Sequence, residues 1–364
     1  MSILSLKVKD IINPPFFGID ISDLTIKFLK VGGGAKTNSK KIDYFGEIKI
    51  EPGIVTEGEI KKEKELAEIL KNSLKDSRGK KIPEKFVVAS LPEEKSFVRI
   101  IRLPRLKKEE VDSAVRWELE GNIPLPIEQA YYDYEIISAP GPADDHIDVL
   151  ITVFPRIIVD SYAAVLKDAG FSPIALELES QAISRATINE NLFDKSVIII
   201  DIGMTRSSFI IFGAGSIVLT LSIALGGRNF NNAIAEKLGI SPEDAEKLKK
   251  EHGLDKNYKN GVLIEALAPM ISALIDQIKK QSWYYKEHSG HIHGAPDYIS
   301  KIILVGGDAN LVGLEKYISV AVKKPVVAAD PFTNIYGINY KNVPPIPKNT
   351  SLKYTTCIGL ALRK

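Results

Sequence analysis

Two short apolar runs rich in β-branched residues flank a polar turn in the middle of the chain. The turn residues that can do chemistry are Asp201, Gly203, Thr205 and Ser207. Exposed backbone N–H groups in such a turn can hold phosphate oxygens, and an aspartate beside them can hold Mg²⁺ through water. The flanking runs, residues 198–202 and 209–212, have the length and composition of paired buried strands. Taken alone, the pattern is more often a plain structural hairpin.

A second copy of this unit lies near the start of the chain, in residues 17–28. Asp20 stands where the central unit has Asp201. Ser22 stands where that unit has Gly203. Two strand–turn–strand units, each with an acid at the end of its first strand, predict a duplicated domain whose halves face a shared cleft. We expect the two aspartates to hold Mg²⁺ through water on that cleft.

Two glycine pairs extend the pattern. Gly226 and Gly227, followed by Arg228, precede a predicted helix, and a helix N-terminus favours bound anions. Gly306 and Gly307 follow the buried run 301–305 and allow a backbone to pass close to a flat ligand. Three such turns in this order are far more specific than any one of them.

These turns resemble the phosphate 1, phosphate 2 and adenosine motifs of the actin-like ATPase superfamily, which includes actin, sugar kinases, heat-shock chaperone ATPases and FtsA. Within it the chain most resembles the PilM family of type IV pilus assembly. The resemblance implies an α/β actin-like ATPase fold, with two duplicated lobes around a nucleotide cleft. It implies ATP and Mg²⁺ as cofactors, and the N-terminal peptide of a PilN-like membrane protein as partner, in a pilus or a related type II secretion platform.

The resemblance also gives roles to single residues, each with a simpler alternative. Glu179 matches the acid that positions the attacking water, yet an acid in a first helical turn also complements the helix dipole. Glu246 and Lys249 match residues that flank the nucleoside, or belong to a solvated charged face. Lys27 matches a lysine of the first motif, or packs at a strand end.

Two departures from the family pattern lie in the first turn. Ser22 stands where glycine is usual, and Asp23 where serine or threonine is usual. An extra acid beside phosphates repels them unless Mg²⁺ or solvent intervenes. We therefore expect an ATP-binding protein with weak or absent ATPase activity.

The same interpretation divides the chain into lobes. The predicted parts are a first lobe at 1–83 with 156–190, an inserted small α+β subdomain at 84–155, a second lobe at 191–230 with 296–350, its helical subdomain at 231–295, and a closing helix at 351–364. The insert carries three closely spaced tyrosines, Tyr131, Tyr132 and Tyr134. They form either a partner surface or an ordinary part of the insert.

Composition restricts the classes of function. The net charge of +2 over 364 residues gives no electrostatic argument for nucleic acid. A single cysteine, Cys357, excludes a disulfide scaffold and favours a reducing compartment. No apolar run approaches the roughly 20 residues of a spanning helix, so we expect no direct membrane insertion. The expected location is cytoplasmic, peripheral at the inner face of the membrane through a partner.

The sequence admits three other interpretations. An FtsA-like division filament is disfavoured because no membrane-binding helix follows the closing segment, although self-association stays open. A small-molecule kinase of the superfamily needs a catalytic aspartate in a substrate pocket, for which no segment is apparent. His288, His291 and His293 suggest a metal cluster, but their glycine-rich, cysteine-free context favours a surface turn.

Overall fold

In the computed structural model of the chain, residues 14–33, 40–75, 79–137, 145–289, 296–338, 340–341 and 343–363 are described. His291 and His293 lie outside these residues. The strands are β1 Phe16–Ile21, β2 Thr25–Gly33, β3 Lys40–Lys49, β4 Val55–Thr56, β5 Glu59–Ile60, β6 Phe86–Leu91, β7 Phe97–Pro104, β8 Ala130–Ile136, β9 His146–Pro155, β10 Ser172–Leu178, β11 Val197–Ile202, β12 Ser207–Gly213, β13 Ser216–Ile223, β14 Lys301–Val305 and β15 Val326–Ala328. The helices are α1 Glu63–Ser73, α2 Lys108–Asn122, α3 Arg156–Asp168, α4 Glu179–Thr187, α5 Gly227–Leu238, α6 Pro242–His252, α7 Val262–Ser289, α8 Leu314–Val322, α9 Thr333–Tyr336, α10 Lys348–Ser351 and α11 Thr355–Ala361.

The first five-stranded sheet has the order β3-β2-β1-β6-β10. Strand β1 pairs antiparallel with β2 and parallel with β6. We call this sheet and the helices packed on it the first lobe. Its central strand is fully buried because helices cover both faces, which is why it reads as a continuous apolar run.

The second sheet repeats this arrangement with the order β13-β12-β11-β14-β15. Strand β11 pairs antiparallel with β12 and parallel with β14, as β1 does with β2 and β6. Asp20 faces Lys27 across the first hairpin, and Asp201 faces Ser208 across the second, at equivalent positions. We call this sheet and its helices the second lobe. The predicted duplication is therefore confirmed at the level of strand order and register.

From β7 to β9 the chain forms a small α+β unit, which we call the insert. The predicted insert began at residue 84, but β6 pairs with β1 and β10 and so belongs to the first sheet. Its three antiparallel strands have the order β7-β9-β8, and helix α2 packs on them. The contact residues of α2 are Val111, Val115 and Leu119, which are all buried. Their spacing of four residues follows the predicted apolar stripe. On the opposite side of α2, Trp117 is 77% exposed.

The closing helix α11 lies between the first sheet and α4, where glycines permit close approach. A Cβ on Gly359 would lie 1.8 Å from the carbonyl oxygen of Ala182 on α4. A Cβ on Gly18 would lie 2.7 Å from the carbonyl oxygen of Cys357. Both positions therefore require glycine for contact between the closing helix and the strands and helix around it.

The long helix α7 packs against the second sheet. By length and hydropathy alone the stretch Tyr258–Ser289 passes the test for a membrane span, although Glu265 and Asp276 lie within it. Its buried residues, which include Leu263, Leu267, Ile271, Leu274 and Ile278, belong to the core of the second lobe. The apolar stripe thus has its partner inside the fold.

Candidate functional site

Asp20 and Asp201, at the ends of the equivalent strands β1 and β11, lie on one cleft between the lobes. Asp20 is 6% exposed, and its Oδ1 accepts a hydrogen bond of 2.8 Å from Ser90 Oγ. Lys27 Nζ lies 3.7 Å from Asp20 Oδ2. Burial and then the charge of Asp20 raise the pKa of Asp201 to about 6. The charge of Asp20 is therefore close enough to disfavour the ionisation of Asp201.

The Gly306–Gly307 turn lies against the same aspartate. Gly306 has φ of +90°, and a Cβ at this position would lie 2.3 Å from Asp201 Oδ1 and 2.4 Å from the carbonyl oxygen of Ile202. No other residue type fits this turn without displacing the carboxylate. The structure thus brings together the aspartate of the second turn and the glycine pair of the third.

Glu179 is the first residue of α4, and its side chain faces the same acidic cleft. Burial, followed by the charge of Asp20, raises its pKa well above the usual range for a glutamate. A further acid, Glu93, caps α4: its carboxylate accepts hydrogen bonds of 3.0 Å from both the backbone N–H and the Oγ of Ser180. Glu93 also accepts a hydrogen bond from the side chain of Thr220 on β13, so it joins the first lobe to the second.

The first turn uses its polar groups internally. The backbone N–H and Oγ of Ser22 donate to the carbonyl oxygen of Thr25 at 2.9 and 3.0 Å. Lys27 Nζ donates to Thr25 Oγ1 at 2.9 Å. Asp23 accepts a hydrogen bond of 3.0 Å from the backbone N–H of Gly58. Ser22 therefore stabilises the turn, and a phosphate would have to displace one of these bonds to use it.

The second turn spans residues 203–206 and includes Thr205. Its ends are joined by a hydrogen bond of 2.9 Å from the Gly203 N–H to the Arg206 carbonyl oxygen. The guanidinium of Arg206 crosses to the first lobe, where Nη1 lies 2.7 Å from Glu94 Oε1 and Nη2 lies 3.7 Å from Asp23 Oδ2. The extra acid of the first turn therefore has a cationic partner from the opposite lobe.

The Gly226–Gly227 turn packs directly on the second turn. The N–H groups of Gly227 and Arg228 donate to the carbonyl oxygens of Gly203 and Met204 at 2.9 and 2.8 Å. A Cβ on Gly226 would lie 2.5 Å from the Gly203 carbonyl oxygen. In this conformation these two N–H groups support the neighbouring turn, and the exposed Arg228 side chain is the part that remains accessible.

Lys249 and Asp308 form a buried ion pair between α6 and the third turn. Lys249 is 3% exposed and Asp308 is 9% exposed, and Lys249 Nζ also lies 3.4 Å from the Gly227 carbonyl oxygen. Burial raises the pKa of Asp308, and Lys249 opposes that rise. Lys249 is therefore not part of a solvated face, whereas Glu246 pairs with Lys250 on the surface of α6.

The donors of the cleft suit a magnesium ion that keeps its water. Within the described ranges, no group of three or more His, Cys, Asp or Glu side chains is arranged to hold a metal directly. Asp20 and Asp201 supply the hard carboxylate oxygens that Mg²⁺ prefers. These residues therefore fit an ion bound through water and phosphate better than one enclosed by protein.

A second candidate site is a groove of about 670 Å³ where the insert meets both lobes. Its walls come from β8, from β10 and α4, and from the β12–β13 hairpin; among the lining residues are Tyr131, Tyr132, Tyr134, Gln181, Ser184, Arg185 and Arg363. Glu177 accepts hydrogen bonds of 2.6 and 3.0 Å from the Arg185 guanidinium and also pairs with Arg363. Ser184 is 6% exposed, and its Oγ has no hydrogen-bond partner among the described residues.

Four residues of the cleft have no counterpart among the sequence predictions: Glu93, Glu94, Arg206 and Asp308. Asp308 directly follows the predicted glycine pair, and Arg206 lies in the predicted second turn. Their positions beside predicted site residues were the sequence feature that could have identified them. Glu93 and Glu94 follow strand β6 at the same sheet edge as Asp20. A search for polar residues at the ends of all parallel strands finds them.

Comparison with known structures defines the class of fold. The chain is similar to a solved PilM–PilN type IV pilus biogenesis complex, with a TM-score of 0.78, 20% identity, and coverage of 96% of this chain and 98% of that one. It is also similar to MreB5 of Spiroplasma citri bound to ADP, with a TM-score of 0.50, 14% identity, and coverage of 89% and 94%. The chain therefore has the actin-like ATPase fold, as predicted.

The family follows from the sequence. A family model described as type IV pilus assembly protein PilM matches residues 18–364. The chain belongs to this family of type IV pilus assembly proteins. It is also 25% identical over 200 residues to the cell division protein FtsA of Buchnera aphidicola subsp. Acyrthosiphon pisum (strain APS). That match covers 49% of this chain and 46% of its relative, so the chain spans about half the length of the curated relative it matches.

Proposed function

We propose that this PilM-family protein binds Mg·ATP in the cleft between its lobes and, depending on the nucleotide, docks the N-terminal peptide of a PilN-like membrane protein in the groove. The observation that carries the proposal is the position of α4. Glu179 at its first residue faces the cleft, while Gln181, Ser184 and Arg185 line the groove. One short helix therefore contacts both sites, and a shift of its N-terminus changes the groove.

Nucleotide binding follows from the charges of the cleft. Asp20 and Asp201 would hold Mg²⁺ through water, and Lys27, 3.7 Å from Asp20, would face the phosphates. When bound, the ion supplies the positive charge that neutralises the phosphate oxygens. The Gly306–Gly307 turn would receive the nucleoside, with Lys249 and Glu246 on the neighbouring helix and Gly226, Gly227 and Arg228 on the turn beside it.

Weak or absent ATPase activity fits the state of Glu179. Burial and the neighbouring carboxylates raise the pKa of Glu179, which favours its protonated form, and a protonated acid cannot accept a proton from water. Positive charge added to the cleft would lower this pKa and favour the form that can act as a base. We expect the nucleotide to act mainly as a conformational ligand.

Partner docking draws on the groove. Its tyrosines offer apolar surface with polar edges, the arrangement that anchors a peptide. The guanidinium of Arg363, which is 41% exposed, can bind peptide polar groups, and the unpaired Ser184 Oγ is buried in the groove wall. The similar solved structure is that of a PilM–PilN complex, which supports a PilN-like protein as the occupant.

The proposal extends to the moving parts and to location. The units expected to move are those predicted from the sequence, 1–83 with 156–190 against 191–230 with 296–350. The predicted block 84–155, whose first strand β6 belongs to the first sheet, the helical subdomain at 231–295 and the closing segment at 351–364 would follow their lobes. We propose a cytoplasmic protein held at the inner face of the membrane by its partner.

Isothermal titration tests both halves of the proposal. Mg·ATP should bind the wild type with micromolar affinity and bind Asp201→Ala at least about tenfold more weakly, near 1.4 kcal/mol. Asp276→Ala, which removes an exposed acid on α7, is the control and should bind as the wild type does. No binding of Mg·ATP to the wild type would refute nucleotide binding.

A PilN-like N-terminal peptide is then titrated with and without Mg·ATP. Its affinity should depend on nucleotide in the wild type and lose that dependence in Asp201→Ala. Tyr134→Ala in the groove should weaken binding of the peptide. Tyr298→Ala, at a tyrosine that is 60% exposed and outside the groove, should leave peptide binding unchanged. Equal weakening by both tyrosine variants, or no effect of nucleotide, would contradict the docking proposal.

A further inference from the structure

Arg206 forms an ion bridge across the mouth of the cleft. Its backbone belongs to the second turn of the second lobe, and its guanidinium contacts Glu94 and Asp23 of the first lobe. The three side chains are 21%, 14% and 13% exposed, respectively. The bridge is thus partly shielded from water, where charge pairs interact more strongly than on an open surface.

Local structure holds both ends of this bridge in place. The Arg206 carbonyl closes the second turn with Gly203, and Gly226 packs so tightly that a Cβ there would lie 2.7 Å from the Arg206 backbone nitrogen. On the other side, Asp23 is fixed by the Gly58 N–H. The guanidinium therefore points into the gap between the two phosphate-type turns for structural reasons.

Charge in the gap favours an exchange of partners when an anion enters. The carboxylates of Asp23 and Glu94 compete for one guanidinium, and burial raises the pKa of Glu94 although Arg206 opposes the rise. A guanidinium binds phosphate oxygens in the same forked geometry that it uses for carboxylates. After the exchange Asp23 keeps the Gly58 N–H as its hydrogen-bond donor, and the positive charge of Lys95 still acts on Glu94.

We propose that Arg206 binds the terminal phosphate of the bound nucleotide, so that the cleft distinguishes a nucleoside triphosphate from a diphosphate. The inference rests on the proposed nucleotide function and adds a specificity residue to it. A triphosphate takes the guanidinium from the two carboxylates and thereby becomes the link between the lobes. A diphosphate leaves the Arg206 bridge to Asp23 and Glu94 intact.

Titrations of Mg·ATP and Mg·ADP into four proteins test the inference. Arg206→Ala should lower the affinity for Mg·ATP at least about tenfold and change that for Mg·ADP less than about threefold. Arg116→Ala, at a surface arginine paired with Glu120 on the insert, is the matched control and should change neither. Asp23→Asn keeps the acceptor for Gly58 and removes one of the two carboxylates that hold Arg206, so it should bind Mg·ATP more tightly and Mg·ADP as before.

The outcomes separate the two proposals. Equal losses for both nucleotides in Arg206→Ala, or no loss for either, overturn the role of Arg206 while leaving nucleotide binding in place. Tighter binding of both nucleotides in Arg206→Ala shows a simple closing contact and also overturns it. If the wild type binds neither nucleotide, the proposed function fails and this inference with it. Circular dichroism checks the fold of each variant. If Arg206→Ala does not fold, an unchanged affinity for Mg·ATP in Asp23→Asn is enough to overturn the proposed role of Arg206.

Discussion

Asp201→Asn should stabilise the nucleotide-free protein at neutral pH while impairing its use of nucleotide. Burial and the neighbouring Asp20 raise the pKa of Asp201 to about 6, so the fold disfavours its ionised form. An asparagine has nearly the same shape and carries no charge. The substitution therefore removes the electrostatic penalty while preserving contact with the Gly306 turn, against which the Asp201 carboxylate packs.

The size of the effect follows from the two pKa values. The difference between the folded value of about 6 and the ordinary value of 3.8 is about 2 units, or about 3 kcal/mol at pH 7. This figure is a ceiling because the side chain is half-buried and solvent screens part of its charge. We expect a gain in the free energy of unfolding of about 1–2 kcal/mol.

The pH dependence gives the sharper test. Between pH 4 and 6 the folded wild type holds more protons than the unfolded chain, so its stability falls as pH rises through about 6. The advantage of Asp201→Asn should therefore be near zero at pH 4 and reach its maximum above pH 6. Urea denaturation at a series of pH values measures this difference, with the exposed-site variant Asp276→Asn as control. A constant difference across pH, or a variant less stable than the wild type at pH 7, would refute the reasoning.

Three further predictions concern binding and packing. Affinity for Mg·ATP should fall about tenfold per pH unit below pH 6 as Asp201 takes up a proton, and a titration in which Asp201→Asn shows the same fall would contradict this. Gly359→Ala, whose Cβ would meet the Ala182 carbonyl at 1.8 Å, should lose about 1–3 kcal/mol in urea denaturation, whereas Gly121→Ala, with open space around it, should not. Lys249→Ala should lose about 3 kcal/mol in the free energy of unfolding because it leaves buried Asp308 without its ion-pair partner. The Lys249→Ala/Asp308→Ala double variant should recover part of this loss, and strictly additive losses would exclude the pairing.

Local sequence patterns predicted the repeated architecture. Strands β1 and β11 are continuous apolar runs because both faces of each sheet are covered, and their length limits them to strands. The acid at the end of each run and the order of the turns predicted which loops would face one another. Asp20, Asp201 and Gly306 do lie together, since the duplicated sheets orient the ends of equivalent strands toward one cleft.

Contacts between segments that are distant in the sequence could not be predicted from local patterns. The pattern around Lys249 is that of a charged helix face, yet the lysine is buried because α6 packs beside the third turn and meets Asp308. Glu93 appears in the sequence as a loop acid, and its role as a cap for α4 depends on the strand order of the first sheet. Helical spacing describes one element at a time, whereas burial of a charge depends on which element packs against it.

The first turn shows the limit of evaluating a motif by itself. Asp23 departs from the family pattern toward greater negative charge, which predicts repulsion of phosphates when only the first turn is considered. Arg206 of the second turn carries the opposite charge, and the fold brings the two side chains together across the cleft. The electrostatic character of a nucleotide cleft is the sum over both turns. The effect of a substitution at Asp23 or Arg206 therefore depends on the other residue. Replacing Asp23 alone changes the charge of the first turn and also removes a carboxylate that pairs with Arg206.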